Sequence, residues 1–356
     1  MLAKAYGNIC TLWLGHKPIV VLYGFRAVKD GLTTNSEDVS GRLQTYLFNR
    51  FSSGKGILVS NGLIWKDQRR FGISTLRKLG MGNKGMERGI QTEAQHLVEF
   101  FRNKNGRAVD PSFPIVHAVS NVICAVVFGH RFSLQDKTFR QLMEAYNSIV
   151  AFGNSYVYYE IKIHRERHTV DEPKDFIDFY LDQMEKVKKV QKELDAVLGS
   201  SHQINYEDRK KLPYTNAVIH EIIRFSSIIL ITIPRQAVKD TTMLGYQVPK
   251  GTIIMANIDS TLFDPEYWET PHQFNPHHFL DKDGNFVIRE AFLAFSAGHR
   301  VCLGEVMAKM ELFIIFCSLL QTFKFIPPEG DKEINLNFVF GSTMKPYPYK
   351  LCAVLR

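Results

Sequence analysis

The chain has 356 residues, enough for one large core or two modest ones. Its 45% hydrophobic content is that of an ordinary globular protein, and 44 basic against 36 acidic side chains give a formal charge of +8. That charge admits an anionic membrane or an acidic protein partner, but no basic tract is long enough to favour nucleic acid.

The cysteines are Cys10, Cys124, Cys302, Cys317 and Cys352. They are odd in number, far apart and free of any C-x-x-C pair, which argues against a disulfide framework or a zinc site and for a reducing compartment. No stretch approaches the ~20 apolar residues of a membrane span. Met1–Leu14 reads as folded sequence, with no signal peptide.

In chain order, Ile9–Leu14 and Ile19–Tyr23 are β-rich runs around Gly15-His16-Lys17-Pro18 and read as a hairpin. A short helix is expected near Phe25–Leu32, and Gly41 to Gly62 is loop-like. Asn61 is placed to cap a helix running to about Leu79. That helix carries Trp65 and Arg69 at i, i+4, hence on one face. Alone, the pair reads as an interfacial tryptophan beside a solvated arginine. Lys66, Arg70, Arg77 and Lys78 add positive charge to the same helix.

Gly85–Arg102 has Ile90, Ala94, Leu97, Val98 and Phe101 at helical spacing. Pro111 suits a helix start ahead of the apolar run Ile115–Phe128. Phe139–Phe152 predicts another helix. The pattern then becomes awkward: Ser155–Tyr159 runs straight into the charged Glu160–Arg167, Glu172-Pro173 is a breaker, and Phe176–Met184 resumes a helix. Val187, Val190, Leu194, Val197 and Leu198 predict one face of a further helix ended by Gly199. Pro213 opens the next, to about Phe225. It carries Glu221 and Arg224 at i, i+3, ringed by apolar residues, so burial of the pair is expected.

Pro234-Arg235 precedes two strands, near Met243–Val248 and Thr252–Ile258, turned by Pro249-Lys250-Gly251. A meander, Phe263–Phe279, follows. Leu303–Phe323 is helical, and Glu305, Lys309 and Glu311 interrupt it too often for a membrane span. Tyr347–Val354 alternates as a strand.

The most specific stretch is Phe295-Ser-Ala-Gly-His-Arg-Val-Cys-Leu-Gly304. A lone buried cysteine is usually a structural thiol. Here Phe295, Gly298, Arg300, Cys302 and Gly304 hold five fixed positions, which chance rarely supplies. Gly298 permits a turn with positive φ. Arg300 places a cation two residues before the sulfur, and Cys302 falls where a helix is expected to begin. Backbone N–H groups there favour a thiolate, and a thiolate in an apolar shell is a good ligand for haem iron.

This string resembles the haem-binding loop of the cytochromes P-450. The wording around Trp65, Glu221, Phe274–Leu280 and Cys302 resembles the vertebrate microsomal family 2, near subfamily J, over nearly the whole chain. The resemblance implies a mainly α fold with a small β region. It implies haem b with the Cys302 thiolate as axial ligand and Phe295 packed beside the sulfur. Trp65, Arg69, Arg300 and Arg235 would neutralise the haem propionates; for Arg235 an exposed position at a strand start stays open. Glu221, Arg224 and His278 would hold the proximal scaffold, His278 standing in Pro276-His277-His278-Phe279 where arginine is usual. The implied activity is haem-thiolate monooxygenation of apolar substrates, fatty acids such as arachidonate or xenobiotics. Dioxygen and an NADPH-dependent flavoprotein reductase serve it at the endoplasmic reticulum. The basic face of Lys66, Arg70, Arg77 and Lys78 is then either plain solvated surface or the reductase's docking face.

The sequence also departs from that pattern. A membrane anchor is not found before Met1, so association with a membrane is expected to be peripheral at most, and a cytosolic location stays open. Between Tyr159 and Glu160, helices that roof the substrate pocket are lacking. Between Lys186 and Val187, the long distal helix bearing Ala/Gly-Gly-x-Asp/Glu-Thr is lacking; no such string occurs anywhere in the chain. The expectation is a single domain, 1–356, with internal deletions at 159/160 and 186/187. No catalytic residue is identified, because the acid–alcohol pair that delivers protons is missing. Two other readings follow. One is a splice product that binds haem weakly or not at all. The other is a haem-thiolate peroxide isomerase, which needs neither reductase nor proton relay.

Overall fold

A computed structural model describes residues 2–44, 52–81, 84–145, 176–330, 338–339 and 343–356. The chain divides into two units. The first comprises residues 1–78, 220–279 and 287–305; the second comprises 79–219, 280–286 and 306–356.

The first unit is built on the predicted hairpin. Strand β1 (Ile9–Leu14) pairs antiparallel with β2 (Lys17–Leu22), which begins two residues earlier than expected and sets Pro18 opposite Trp13. Three short strands complete the sheet: β3 (Gly41–Arg42), β4 (Arg235–Gln236) and β7 (Ile253–Ala256). The order is β1-β2-β7-β4-β3, parallel only between β2 and β7. β3 approaches β4 so closely that a Cβ on Gly41 would lie 2.5 Å from the Gln236 carbonyl oxygen. The sequence suggested one strand over Met243–Val248. Instead β5 (Thr241–Met243) and β6 (Tyr246–Val248) form their own hairpin, because Leu244 and Gly245 both take positive φ and reverse the chain.

Helix Phe25–Thr33 buries Phe25, Val28 and Leu32. Helix Gly62–Lys78 matches its predicted span, but the Asn61 side chain does not cap it. It clips β3 instead: Asn61 Oδ1 accepts from Arg42 N–H at 2.7 Å and Nδ2 donates to Arg42 C=O at 2.9 Å. A backbone edge with both polar groups unpaired outcompeted the helix end for the amide.

In the second unit, helix Lys84–Arg102 buries Ile90, Ala94, Leu97 and Phe101 of the predicted face, while Val98 is half-buried. Helix Ser112–Phe128 follows Pro111. The helix predicted from Phe139 is described to residue 145. Its remainder, the Ser155–Arg167 stretch and the 159/160 junction lie outside the described residues. The two helices expected on either side of Lys186 and Val187 are one, Phe176–Val197. No breaker stands at that junction, and the straight-chain residues around it favour continuation. Val190 and Leu194 are fully buried, whereas Val187 and Val197 are exposed, so the apolar face is narrower than the spacing suggested.

Helix Pro213–Ser226 belongs to the second unit up to Ile219 and to the first from His220. Helix Glu305–Thr322 leads into β8 (Phe323–Ile326), and β9 (Phe338–Val339) pairs with β10 (Lys345–Pro346). β8 pairs antiparallel with β11 (Cys352–Leu355). The tail strand starts at Cys352 rather than Tyr347, since Pro348 has no N–H for a ladder. Among the described residues, no helix is long and apolar enough to cross a membrane.

Candidate functional site

The ten-residue stretch ending at Gly304 is a closed loop. The Cys302 N–H donates to the Phe295 carbonyl at 3.0 Å. Gly298 sits at φ +70, and a Cβ there would lie 1.9 Å from the backbone oxygen of Leu32, so no other residue fits without moving main chain. Ser296, at φ +65, accepts comparable strain without that licence. Phe295 is half-buried, and Cys302 is exposed. The helix expected to begin at Cys302 begins at Glu305. Val301 is extended (ψ 146), and the Cys302 amide is occupied in closing the loop. The sulfur therefore precedes the first helical turn by three residues.

Four arginines gather around this loop. Arg300, 7% exposed, donates to the carbonyls of Ser40 (2.8 Å), Ile57 (3.1 Å) and Ser60 (2.8 Å) and to Asn61 Oδ1 (3.4 Å). Its guanidinium lies 3.7 Å from the centroid of the Trp65 ring. Arg69, one turn along from Trp65, donates to the Val301 carbonyl at 2.8 Å. Arg235 is buried, which excludes an exposed strand-start role; its Nη2 donates to Ser296 Oγ (3.1 Å) and the Ala297 carbonyl (2.6 Å). Arg42 holds the carbonyls of Leu58 (3.1 Å) and Ile233 (2.6 Å).

The electrostatics of the cluster are one-sided. Burial, reinforced by the other arginines, pushes Arg300 and Arg235 down to about 9; burial alone brings Arg42 to about 10. Burial also lowers Arg69, against the pull of a negative Cys302. Among the described residues no carboxylate pairs with any of the four. Three buried donors have no acceptor: Trp65 Nε1 and Arg235 Nε and Nη1. Each such orphan costs about 1–3 kcal/mol. An anion with several carboxylate oxygens would answer both the charge and the orphaned N–H groups.

Further from the loop, Glu221 and Arg224 are completely buried. Arg224 Nε and Nη2 each donate to the Glu221 carboxylate at 2.7 Å. Arg224 also holds the carbonyls of Leu262 (2.6 Å), Pro271 (2.9 Å) and Gln273 (3.1 Å), fastening the meander. His278 Nδ1 lies 3.2 Å from the same carboxylate. The pair thus has the extra hydrogen bonds a buried ion pair requires.

A cleft of about 890 Å³ opens along helix Gly62–Lys78, lined by Lys66, Arg69, Arg70, Arg77, Lys78 and His299. Sequence reasoning missed Arg42 and Asn61. Both enter the cluster through the β3–β4 pairing, between segments nearly 200 residues apart; the one local signal was Gly41.

The cytochrome P450 family model matches residues 1–187 and again 180–353. Human cytochrome P450 2J2 is 35% identical over 432 positions, covering 99% of this chain and 86% of its own. Mouse cytochrome P450 2J5 is 34% identical over 430 positions, covering 99% and 85%. Cytochrome P450 2K1 of Oncorhynchus mykiss is 36% identical over 436 positions, covering 100% and 86%. With 432 positions in the human alignment against 356 residues here, at least 76 positions have no residue of this chain.

Proposed function

The chain belongs to the cytochrome P450 family and, within it, to vertebrate family 2; from that premise we propose that it is a shortened haem-thiolate monooxygenase with Cys302 as the iron's axial ligand. The family's enzymes are oxidoreductases, and their cofactor is haem iron held by a cysteine thiolate. When bound, the haem supplies the activation of dioxygen for insertion into an apolar substrate.

The protein's part is to hold that group. The observation that carries the reading is the arginine cluster with its orphaned donors. Trp65 Nε1 and Arg235 Nε and Nη1 would meet the propionate carboxylates, which supply the missing anions, with Arg69 adding its charge beside them. Arg300 would act mainly through the loop, since its donors are committed to carbonyls. Gly298 and the Cys302–Phe295 bond fix the sulfur's position, and Phe295 would shield it. Glu221, Arg224 and His278 would keep the meander in place on the same side.

Substrates would be apolar, fatty acids such as arachidonate or xenobiotics, and electrons would come from an NADPH-dependent flavoprotein reductase. Its docking surface would be the basic cleft along helix Gly62–Lys78. The site of action would be the endoplasmic reticulum membrane. The missing acid–alcohol string predicts impaired proton delivery and turnover 10²–10⁴-fold below full-length relatives. The family-model break at 180–187 and the unmatched alignment positions support an internally deleted, exon-skipped product. Sequencing the transcript across the codons for Lys186 and Val187 tests that origin; uninterrupted exon usage would refute it.

The site itself is tested by the reduced, carbon-monoxide-bound absorption spectrum of protein expressed with haem precursor. A thiolate-type Soret band, lost in Cys302→Ala, is expected. No pigment, or equal colour in the variant, would overturn the assignment and favour the haem-free alternative. Turnover of a lipid hydroperoxide without NADPH would favour the isomerase.

A further inference from the structure

The His278 side chain, with zero exposure, lies between one group that only accepts hydrogen bonds and one that only donates them. On one side is the Glu221 carboxylate, 3.2 and 3.3 Å from Nδ1. It is paired with Arg224 and also receives the Asn275 main-chain N–H at 2.7 Å, the surroundings of an ionised acid. On the other side, the main-chain N–H of Thr270 points at Nε2 from 3.2 Å. A peptide nitrogen has no lone pair to offer, so Nε2 must present its own. Nδ1 then carries the ring's single proton, which is what the carboxylate opposite requires. The Thr270 hydroxyl, 3.0 Å from Nε2, accepts from Asn275 Nδ2 at 3.0 Å and keeps its own hydrogen available to an Nε2 lone pair.

We infer that His278 is a neutral imidazole with its proton on Nδ1, and that Thr270 is the positioning residue that fixes this tautomer. The other charged groups nearby do not require a cation there. Arg224 alone balances Glu221. Glu269 is 3.8 Å from Nε2, beyond hydrogen-bond reach, and Arg289 takes its carboxylate at 2.7 Å. The Trp268 ring, 5.4 Å away, presents an edge-type contact. A doubly protonated ring would set N–H against N–H at Nε2. The buried scaffold is therefore net neutral, one carboxylate and one guanidinium, bridged to the turn at Thr270 by a ring that donates at one end and accepts at the other. This holds whether or not haem is bound.

The direct test is a long-range proton–nitrogen correlation spectrum of the protein labelled with ¹⁵N-histidine, at neutral pH. The signals are assigned as those lost in His278→Gln or, if that variant does not fold, by contacts to the Trp268 ring. A protonated Nδ1 and an unprotonated Nε2 are expected. A proton on Nε2, or on both nitrogens, would overturn the inference. Urea unfolding supplies a second reading. His278→Gln keeps a donor and an acceptor on one neutral group, whereas His278→Arg offers donors only. The arginine variant should therefore show the larger fall in midpoint; an arginine midpoint at or above that of the glutamine variant would count against the assignment.

Discussion

Glu311 lies on helix Glu305–Thr322 at 6% exposure, and its Oε1 has no hydrogen-bond partner among the described residues. Burial raises its pKa from 4.5 to about 7. Below about pH 4.5 the folded and unfolded chains both keep the proton, and the group costs nothing extra. Between that point and about pH 7 the unfolded chain releases the proton first, so stability falls as pH rises. Above about pH 7 the whole penalty is present. The span from 4.5 to about 7, at roughly 1.36 kcal/mol per tenfold change in proton affinity, comes to about 3 kcal/mol. Glu311→Gln keeps the shape and removes the ionisation. Urea unfolding of both proteins from about pH 5 to about pH 8 isolates this residue, because other titrations cancel in the difference. The variant should be near parity at the acid end and about 2–3 kcal/mol more stable at the alkaline end. Parallel curves would show that the carboxyl finds water or a partner, and the reasoning would fail.

Gly298→Ala combines a left-handed backbone with a methyl group 1.9 Å from a carbonyl oxygen. A loss of about 2–4 kcal/mol in urea unfolding is expected, and an unchanged midpoint would contradict the close approach to Leu32. Arg300→Met strips the partner from three main-chain carbonyls and Asn61; it should destabilise by roughly 3 kcal/mol and lower haem occupancy, read from absorbance per mole of protein. Trp65→Phe removes an orphaned donor. The haem-free protein should stay within about 1 kcal/mol of native, while haem affinity drops about tenfold, measured by spectrophotometric titration. A variant that loses stability but not affinity would place the indole N–H elsewhere.

The parts of this molecule that were legible in the sequence are those encoded locally. The helical spacing of Trp65 and Arg69, the apolar ring around Glu221 and Arg224, and the turn demanded at Gly298 each depend on a few neighbouring residues. The parts that were not legible arise from distant pairing. Arg42 looked like a loop residue, and only the β3–β4 register brings it to the cluster. Asn61 had the right identity for a helix cap and found a better use against β3. Leu244 disguised a turn, since a leucine at positive φ leaves no compositional mark. The last long helix starts at Glu305 rather than Cys302, because Val301 is extended and the chain closes back on Phe295 before the helical turns begin.

The tight approach of Gly298 to Leu32, and of Arg300 to Ser40 and Ser60, bears on how the molecule comes into being at the ribosome. Translation runs from the N-terminus, at about 5–20 residues per second. Those early carbonyls wait on water until the last sixth of the message is read. The sulfur's seat is assembled only once nearly all of the polypeptide has emerged, so pigment loading belongs after synthesis, and any premature stop upstream of the loop yields a product without a seat.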